Sequence, residues 1–146
     1  MQVLVASRSD GDDRVGRTPL KELLPIVDVL AIHCPLTDET KNLIDADALA
    51  LMKNDAVLVN VARGGVVNET ALANALRSGE LAGAATDVLT VEPPREGNVL
   101  LSANIPNLIV TPHSAWGSQE ARQRIIDQTV ENIAAFGCNS VERKVV

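Results

Sequence analysis

The feature that most constrains this chain is a series of short apolar runs that do not alternate with polar residues. They span residues 3–6, 29–32, 56–61, 82–88 and 108–111, and are rich in β-branched side chains. A strand with one solvated face alternates apolar and polar residues, so unbroken runs predict strands buried on both faces, as in a parallel sheet. Helical patterns fill the intervals. Thr18 followed by Pro19 predicts a capped short helix with Leu20, Leu23 and Leu24 facing inward. Asp45 predicts a cap for 46–52. Asn68 predicts a cap for 69–78, burying Ala71, Leu72, Ala75 and Leu76, with Gly79 as a left-handed stop. Ser118 begins a long final helix with Ala121, Ile125, Thr129, Val130 and Ile133 on one stripe and Gly137 at its end. The resulting order, β-α-β-α-β-α-β-β-α, predicts an α/β fold with a parallel sheet and flanking helices.

Composition narrows the function. A chain of 146 residues, 46% of them apolar, has enough material for one core, so one domain is expected. Trp116 and Phe136 are its only aromatic residues, which leaves Val, Leu, Ile and Ala to build that core. A net charge of −6 with no basic block argues against nucleic acid and against anionic membrane surfaces as partners. Cys34 and Cys138 form no metal-ligand spacing, so reduced thiols and a cytoplasmic setting are the expectation. The apolar stretch at the amino end is too short for a signal peptide, and no run reaches the roughly 18 apolar residues of a membrane span.

Ligands of open α/β sheets bind beyond the carboxyl ends of the strands. Three of the predicted strands run there into polar residues of complementary chemistry. The third runs into Ala62-Arg63-Gly64-Gly65, the fourth ends on Asp87-Val88 and leads to Glu92-Pro93-Pro94, and the fifth runs into Pro112-His113. Arg63 offers a planar, permanently charged fork for a carboxylate. His113 is a side chain suited to proton transfer near neutrality. A carboxylate such as Glu92 would orient the imidazole and favour its protonated form. Gly64 and Gly65 would let backbone approach a cofactor closely. Each residue alone has a plainer reading: Arg63 as a surface ion pair, His113 as a turn residue, Glu92 as a solvated side chain. Their recurrence at three strand ends favours a site that holds a small 2-keto acid, protonates its carbonyl and supports hydride transfer.

Asn60-Val61-Ala62-Arg63-Gly64-Gly65, the Asp87 to Pro94 segment and Thr111-Pro112-His113 resemble the D-isomer-specific 2-hydroxyacid dehydrogenases. His33-Cys34-Pro35-Leu36-Thr37 is similar to that family's cofactor-contacting turn. The resemblance implies a Rossmann-type sheet, with Arg63 binding the keto acid, His113 as acid/base and Glu92 as its partner. It also implies that Asp87 lies near the nicotinamide and that Cys34, Pro35 and Ala62 line the cofactor cleft, although Cys34 also reads as a small buried hydrophobe. Trp116 resembles the glycerate dehydrogenase and hydroxypyruvate reductase branch, where an aromatic shapes the substrate pocket; packing beneath the last helix is the competing reading. A homodimer is implied for the full-length enzyme.

The chain departs from the family in having no Gly-x-Gly-x-x-Gly motif. Residues 1–146 therefore read as a truncated NAD(P)-binding domain, lacking the first β-α unit and the substrate domain. With the centre of the family's strand order missing, residues 3–6 and 29–32 are expected to pair apart from the other three strands. The isolated chain is then expected to be inactive and to self-associate through its open edges. Ser7 and Arg8 at the first strand end favour a 2′-phosphate and hence NADP, while Asp10 leaves NAD open. Two rivals are a dinucleotide-sensing corepressor that works by binding proteins, and a remnant without a function of its own.

Overall fold

The computed structural model describes residues 1–7, 12, 14–138 and 140. The chain forms two compact units, Met1–Pro112 and His113–Val146. In the first, β1 (Val5–Ala6) and β2 (Arg17–Thr18) make a two-stranded parallel sheet. After α1 (Leu20–Leu23), a second parallel sheet has the order β3 (Val29–Ile32), β4 (Val57–Asn60), β5 (Gly83–Thr86) and β6 (Leu108–Val110). Helix α2 (Ala46–Ala50) joins β3 to β4, and α3 (Glu69–Ser78) joins β4 to β5. A 3₁₀ turn at Val99–Leu101 precedes β6.

The register of the larger sheet sets the geometry that matters for function. Ile32 pairs with Asn60, Asn60 with Thr86, and Thr86 with Val110. All four strands run the same way, so their carboxyl ends finish level in one row, with neighbours about 4.8 Å apart. Two further hydrogen bonds extend the row: Asp87 N–H donates to Asn60 O and Thr111 N–H to Thr86 O. The core lies against this sheet. Leu24, Ile44, Leu49, Leu58, Val66, Leu72 and Leu81 are fully buried.

Three expectations need correction. Residues 3–6 and 29–32 do not pair with each other: β1 pairs with β2, and β3 pairs with β4. β2 escapes a sequence reading because Arg17-Thr18 has no apolar signature and is defined only by its ladder to β1. Thr18 consequently lies in a strand, and Pro19 occupies the capping position of α1. Finally, not every strand is buried on both faces. β4 and β5 lie inside the sheet and are well covered, whereas Val29 of β3 and Ile109 of β6, at its two ends, are exposed.

The helix caps follow local chemistry. The Asp45 and Asn68 side chains accept from Ala48 N–H and Ala71 N–H, both at 2.9 Å, each satisfying an amide with no partner inside its helix. α3 ends at Gly79, whose φ of +77° is readily adopted by glycine. One face of α3 buries Leu72, Ala73, Ala75 and Leu76 in the core. In the second unit, Ser118 caps α4 (Gln119–Gly137) by accepting from Ala121 N–H at 3.1 Å. The apolar stripe expected there exists, but no residue of α4 is buried, and Ile125, Val130 and Ile133 are exposed. No helix among the described residues is long and apolar enough to cross a membrane.

Because α3 packs into the core, its cap contributes to global stability. Asn68→Ala is expected to lower the unfolding free energy by about 1 kcal/mol, measured by urea denaturation, while Asn68→Asp or Asn68→Ser stays close to wild type.

Candidate active site

The row of strand ends organises the first unit's candidate residues. Asn60, only 3% exposed, shapes the turn that carries Arg63. Its side-chain oxygen accepts from Ala62 N–H at 3.1 Å and its Nδ2 donates to Arg63 O at 3.0 Å. The asparagine thus replaces ladder bonds that the turning backbone can no longer make. Arg63 itself is exposed, and its guanidinium donates to Ala62 O at 2.7 Å. No acidic side chain among the described residues forms an ion pair with it. A guanidinium presented in this way can receive a carboxylate.

On the next strand, Thr86 closes its own turn. Its hydroxyl donates to Val88 O at 2.7 Å and accepts from Val88 N–H at 3.3 Å. Asp87 follows with 5% exposure. One of its carboxylate oxygens accepts from the Thr111 hydroxyl at 2.5 Å, which ties the ends of β5 and β6 together. Glu92 lies further along the same loop, and its Oε1 accepts from Leu89 N–H at 2.6 Å.

The Arg63 and Glu92 segments touch through Gly64. A Cβ there would lie 1.9 Å from Leu89 O and 2.6 Å from Thr90 N. The space a Gly64 side chain would occupy is therefore filled by protein backbone. Gly65 has a different constraint, a φ of +82°. On the β3 side, Cys34 is partly buried against the core, and this burial pushes its thiol up, leaving it protonated at neutral pH. Cys34 is thus a weak nucleophile, and both the buried-hydrophobe reading and a role in lining a cleft suit it. Pro35 follows it, and Ala62 is partly buried beneath the Arg63 turn.

The second unit opens with His113, immediately after Pro112. His113 has a φ of +53°; the other non-glycine residues with positive φ among those described are Asn42 and Asn107, a type that tolerates this conformation well. Histidine shares that tolerance, although a non-glycine side chain there still carries a modest cost. The Trp116 indole N–H donates to His113 O at 2.9 Å, and Gly117 N–H to Ser114 O at 2.8 Å, closing the turn before α4. Trp116 is 57% exposed, so it is not packed away beneath the helix. Ser7 N–H donates to Thr18 O at 2.9 Å as part of the small sheet. Arg8 lies outside the described residues, as does Asp10.

Asn60, Thr86 and Thr111 are contributors that the sequence reading did not single out. The available signal was a hydrogen-bonding residue closing each otherwise apolar strand. No group of three or more metal-ligating side chains occurs among the described residues.

A parallel sheet flanked by helices, with its polar residues along the carboxyl-end edge, defines a Rossmann-like α/β protein whose ligand site lies at that edge. Residues 1–115 match the family model described as D-isomer specific 2-hydroxyacid dehydrogenase, NAD binding domain. The chain belongs to this family. It is 51% identical over 121 residues to a glycerate dehydrogenase of Methylorubrum extorquens, covering 83% of this chain and 38% of that protein. It is 41% identical over 117 residues to a hydroxypyruvate reductase of Blautia hydrogenotrophica, covering 80% and 36% respectively. Among solved structures, the NAD complexed form of a D-isomer specific 2-hydroxyacid dehydrogenase from Lactobacillus delbrueckii ssp. bulgaricus superposes with a TM-score of 0.78 at 30% identity, covering 89% of this chain and 43% of that one. The chain thus spans less than half the length of these relatives, and the matched family domain binds a nicotinamide dinucleotide.

Gly64→Ala forces the Arg63 turn away from the Leu89 carbonyl, and backbone on both sides leaves little room to yield. A loss of about 1–3 kcal/mol is expected, the usual cost of overpacking. Thermal or urea unfolding checks it, with Gly79→Ala as a comparison that strains a positive φ but meets nothing within 4 Å.

Proposed function

We propose that residues 1–146 act as the NAD(P)-binding part of an oxidoreductase that interconverts a small 2-keto acid and its 2-hydroxy acid, with hydroxypyruvate or glyoxylate as the substrate reduced. The observation that carries this reading is the level row of strand ends, where adjacent strands lead into the Arg63 turn and the Asp87–Glu92 loop. The names of the relatives are those of enzymes, which favours catalysis over the protein-binding and remnant readings.

The donor set at this edge fits the nicotinamide end of a dinucleotide. Asp87, fixed by Thr111, is an acceptor for a carboxamide N–H, and the small side chains of Cys34, Pro35 and Ala62 suit the flank of a flat ring. When bound, the reduced cofactor supplies the hydride that adds to C2 of the keto acid. Arg63 receives the substrate carboxylate in a paired hydrogen bond and draws electron density from the adjacent carbonyl. His113 gives its proton to the carbonyl oxygen as that oxygen gains charge, and takes it back in the oxidative direction. Glu92 is, in this reading, the carboxylate partner of that imidazole. Trp116, tethered to the His113 carbonyl, is the aromatic that shapes the substrate pocket in this reading. The same reading places the enzyme in the cytoplasm as a homodimer.

These roles can be tested with residues 1–115 exchanged for the matching segment of the Methylorubrum glycerate dehydrogenase. Arg63→Lys is expected to lower kcat/KM for hydroxypyruvate by about 100-fold or more, because an ammonium retains the charge but not the planar fork. His113→Gln is expected to abolish reduction while the NADH dissociation constant stays within about threefold, since only the proton donor is lost. Wild-type efficiency in either variant overturns the assignment.

The cofactor preference rests on Arg8. Pairing between a guanidinium and a 2′-phosphate favours NADP over NAD. Arg8→Ala is therefore expected to weaken NADPH binding about tenfold with little change for NADH, as read by fluorescence titration; equal losses for both remove Arg8 from that role.

A further inference from the structure

Glu69 opens α3, where a carboxylate is ordinarily explained by its favourable interaction with the amide end of the helix. Its oxygens do something more specific. Oε1 accepts from Thr90 N–H at 2.7 Å, and Oε2 accepts from Asn98 Nδ2 at 2.8 Å. Both partners belong to the segment between β5 and β6, more than twenty residues further along the chain. Thr90 adjoins the Leu89 carbonyl against which Gly64 is packed. The Leu89–Thr90 peptide is therefore gripped from both sides by the stretch that follows Arg63, by van der Waals contact at Gly64 and by hydrogen bonding at Glu69. Leu89 N–H in turn holds the Glu92 carboxylate.

We infer that Glu69 is a positioning residue for the proposed reaction: it latches the loop carrying Glu92 onto the turn carrying Arg63 and so fixes the orientation of Glu92. This inference rests on the oxidoreductase reading above. The latch demands a carboxylate. Asn98 cannot rotate its amide to suit another partner, because its Oδ1 already accepts from Leu100 N–H at 2.8 Å and caps the 3₁₀ turn. Thr90 N–H and Asn98 Nδ2–H both donate, so a glutamine at 69 satisfies one of them and turns its own NH₂ toward the other. Glu69 pairs with a neutral amide and a backbone N–H and with no cation among the described residues, so its role here is geometric.

Glu69→Gln is the test, made in the same hybrid enzyme and in the chain itself. In the chain, the Thr90 amide is expected to exchange with solvent at least about tenfold faster than in wild type, since its acceptor is weakened or lost. In the hybrid, kcat for hydroxypyruvate is expected to fall about 10- to 100-fold, the scale of a small misplacement of a reacting group, while the NADH dissociation constant remains within about threefold of wild type. The sign of the pH effect follows from the chemistry. Reduction needs protonated His113, and a misdirected Glu92 stabilises that form less, so the pH at which reduction falls off moves down, as in Glu92→Gln. The double variant Glu69→Gln/Glu92→Gln is expected to be no slower than Glu92→Gln alone, because the two act through one group. Asn98→Ala, which removes one of the two bonds without altering charge, is expected to reproduce part of the kcat loss and carries the same test should Glu69→Gln fail to fold. An unmoved pH limb with multiplicative losses in the double variant, or a lowered Tm with wild-type kcat, overturns the latch. Wild-type kcat in Arg63→Lys and Glu92→Gln instead refutes the oxidoreductase reading beneath it.

Discussion

The structure depends on the register of one parallel sheet. Ile32, Asn60, Thr86 and Val110 stand side by side, so four strands stop at the same level and release the chain on the same edge. A parallel ladder achieves this because every strand must be brought back to its start by a crossover before it is laid down again. Every group leaving the row, from Cys34 to Thr111, is placed by that alignment. A slip of one residue in β4 would reverse the faces of its side chains, withdrawing Asn60 and Leu58 from the buried positions they share with the core.

Polar residues at the end of the row then convert a sheet edge into ordered turns. Asn60 replaces missing ladder bonds beneath Arg63, Thr86 closes the turn after β5, and Thr111 anchors Asp87. Buried polar side chains are costly unless satisfied, and here each also binds a backbone group or another strand end. The Arg63 and Glu92 turns are joined by close packing as well as by hydrogen bonds. Gly64 has no room for a Cβ, and the Glu69 carboxylate can satisfy two donors only where the Leu89–Thr90 peptide lies against it. Such a two-sided grip restricts a loop more than either contact alone, because it removes both translation and rotation of the gripped peptide.

The second unit contributes a different kind of order. His113 is held at φ +53° in a turn closed by Trp116 and Gly117, and Ser118 starts α4 directly afterwards. The indole N–H on the His113 carbonyl couples the orientation of the aromatic to the histidine's backbone, so that substitution of Trp116 also alters the turn that carries His113.

The sequence by itself determined the elements whose causes are local. Asn68, Gly79, Asp45 and Ser118 stop or start helices through their own hydrogen bonds and backbone freedom, and the apolar runs at 56–61 and 82–88 encode strands covered on both faces. The candidate polar residues were equally legible, since their types and order are a property of the chain. Only the tertiary structure decided what depended on partners far away in sequence. The Arg17-Thr18 strand exists because β1 lies beside it, β3 joins β4 because their ladders match, and Gly64 and Glu69 acquire their roles from a peptide more than twenty residues distant. A local pattern records what a residue can do with its immediate neighbours. Which distant backbone it meets is settled only when the sheet brings separate strand ends into one row.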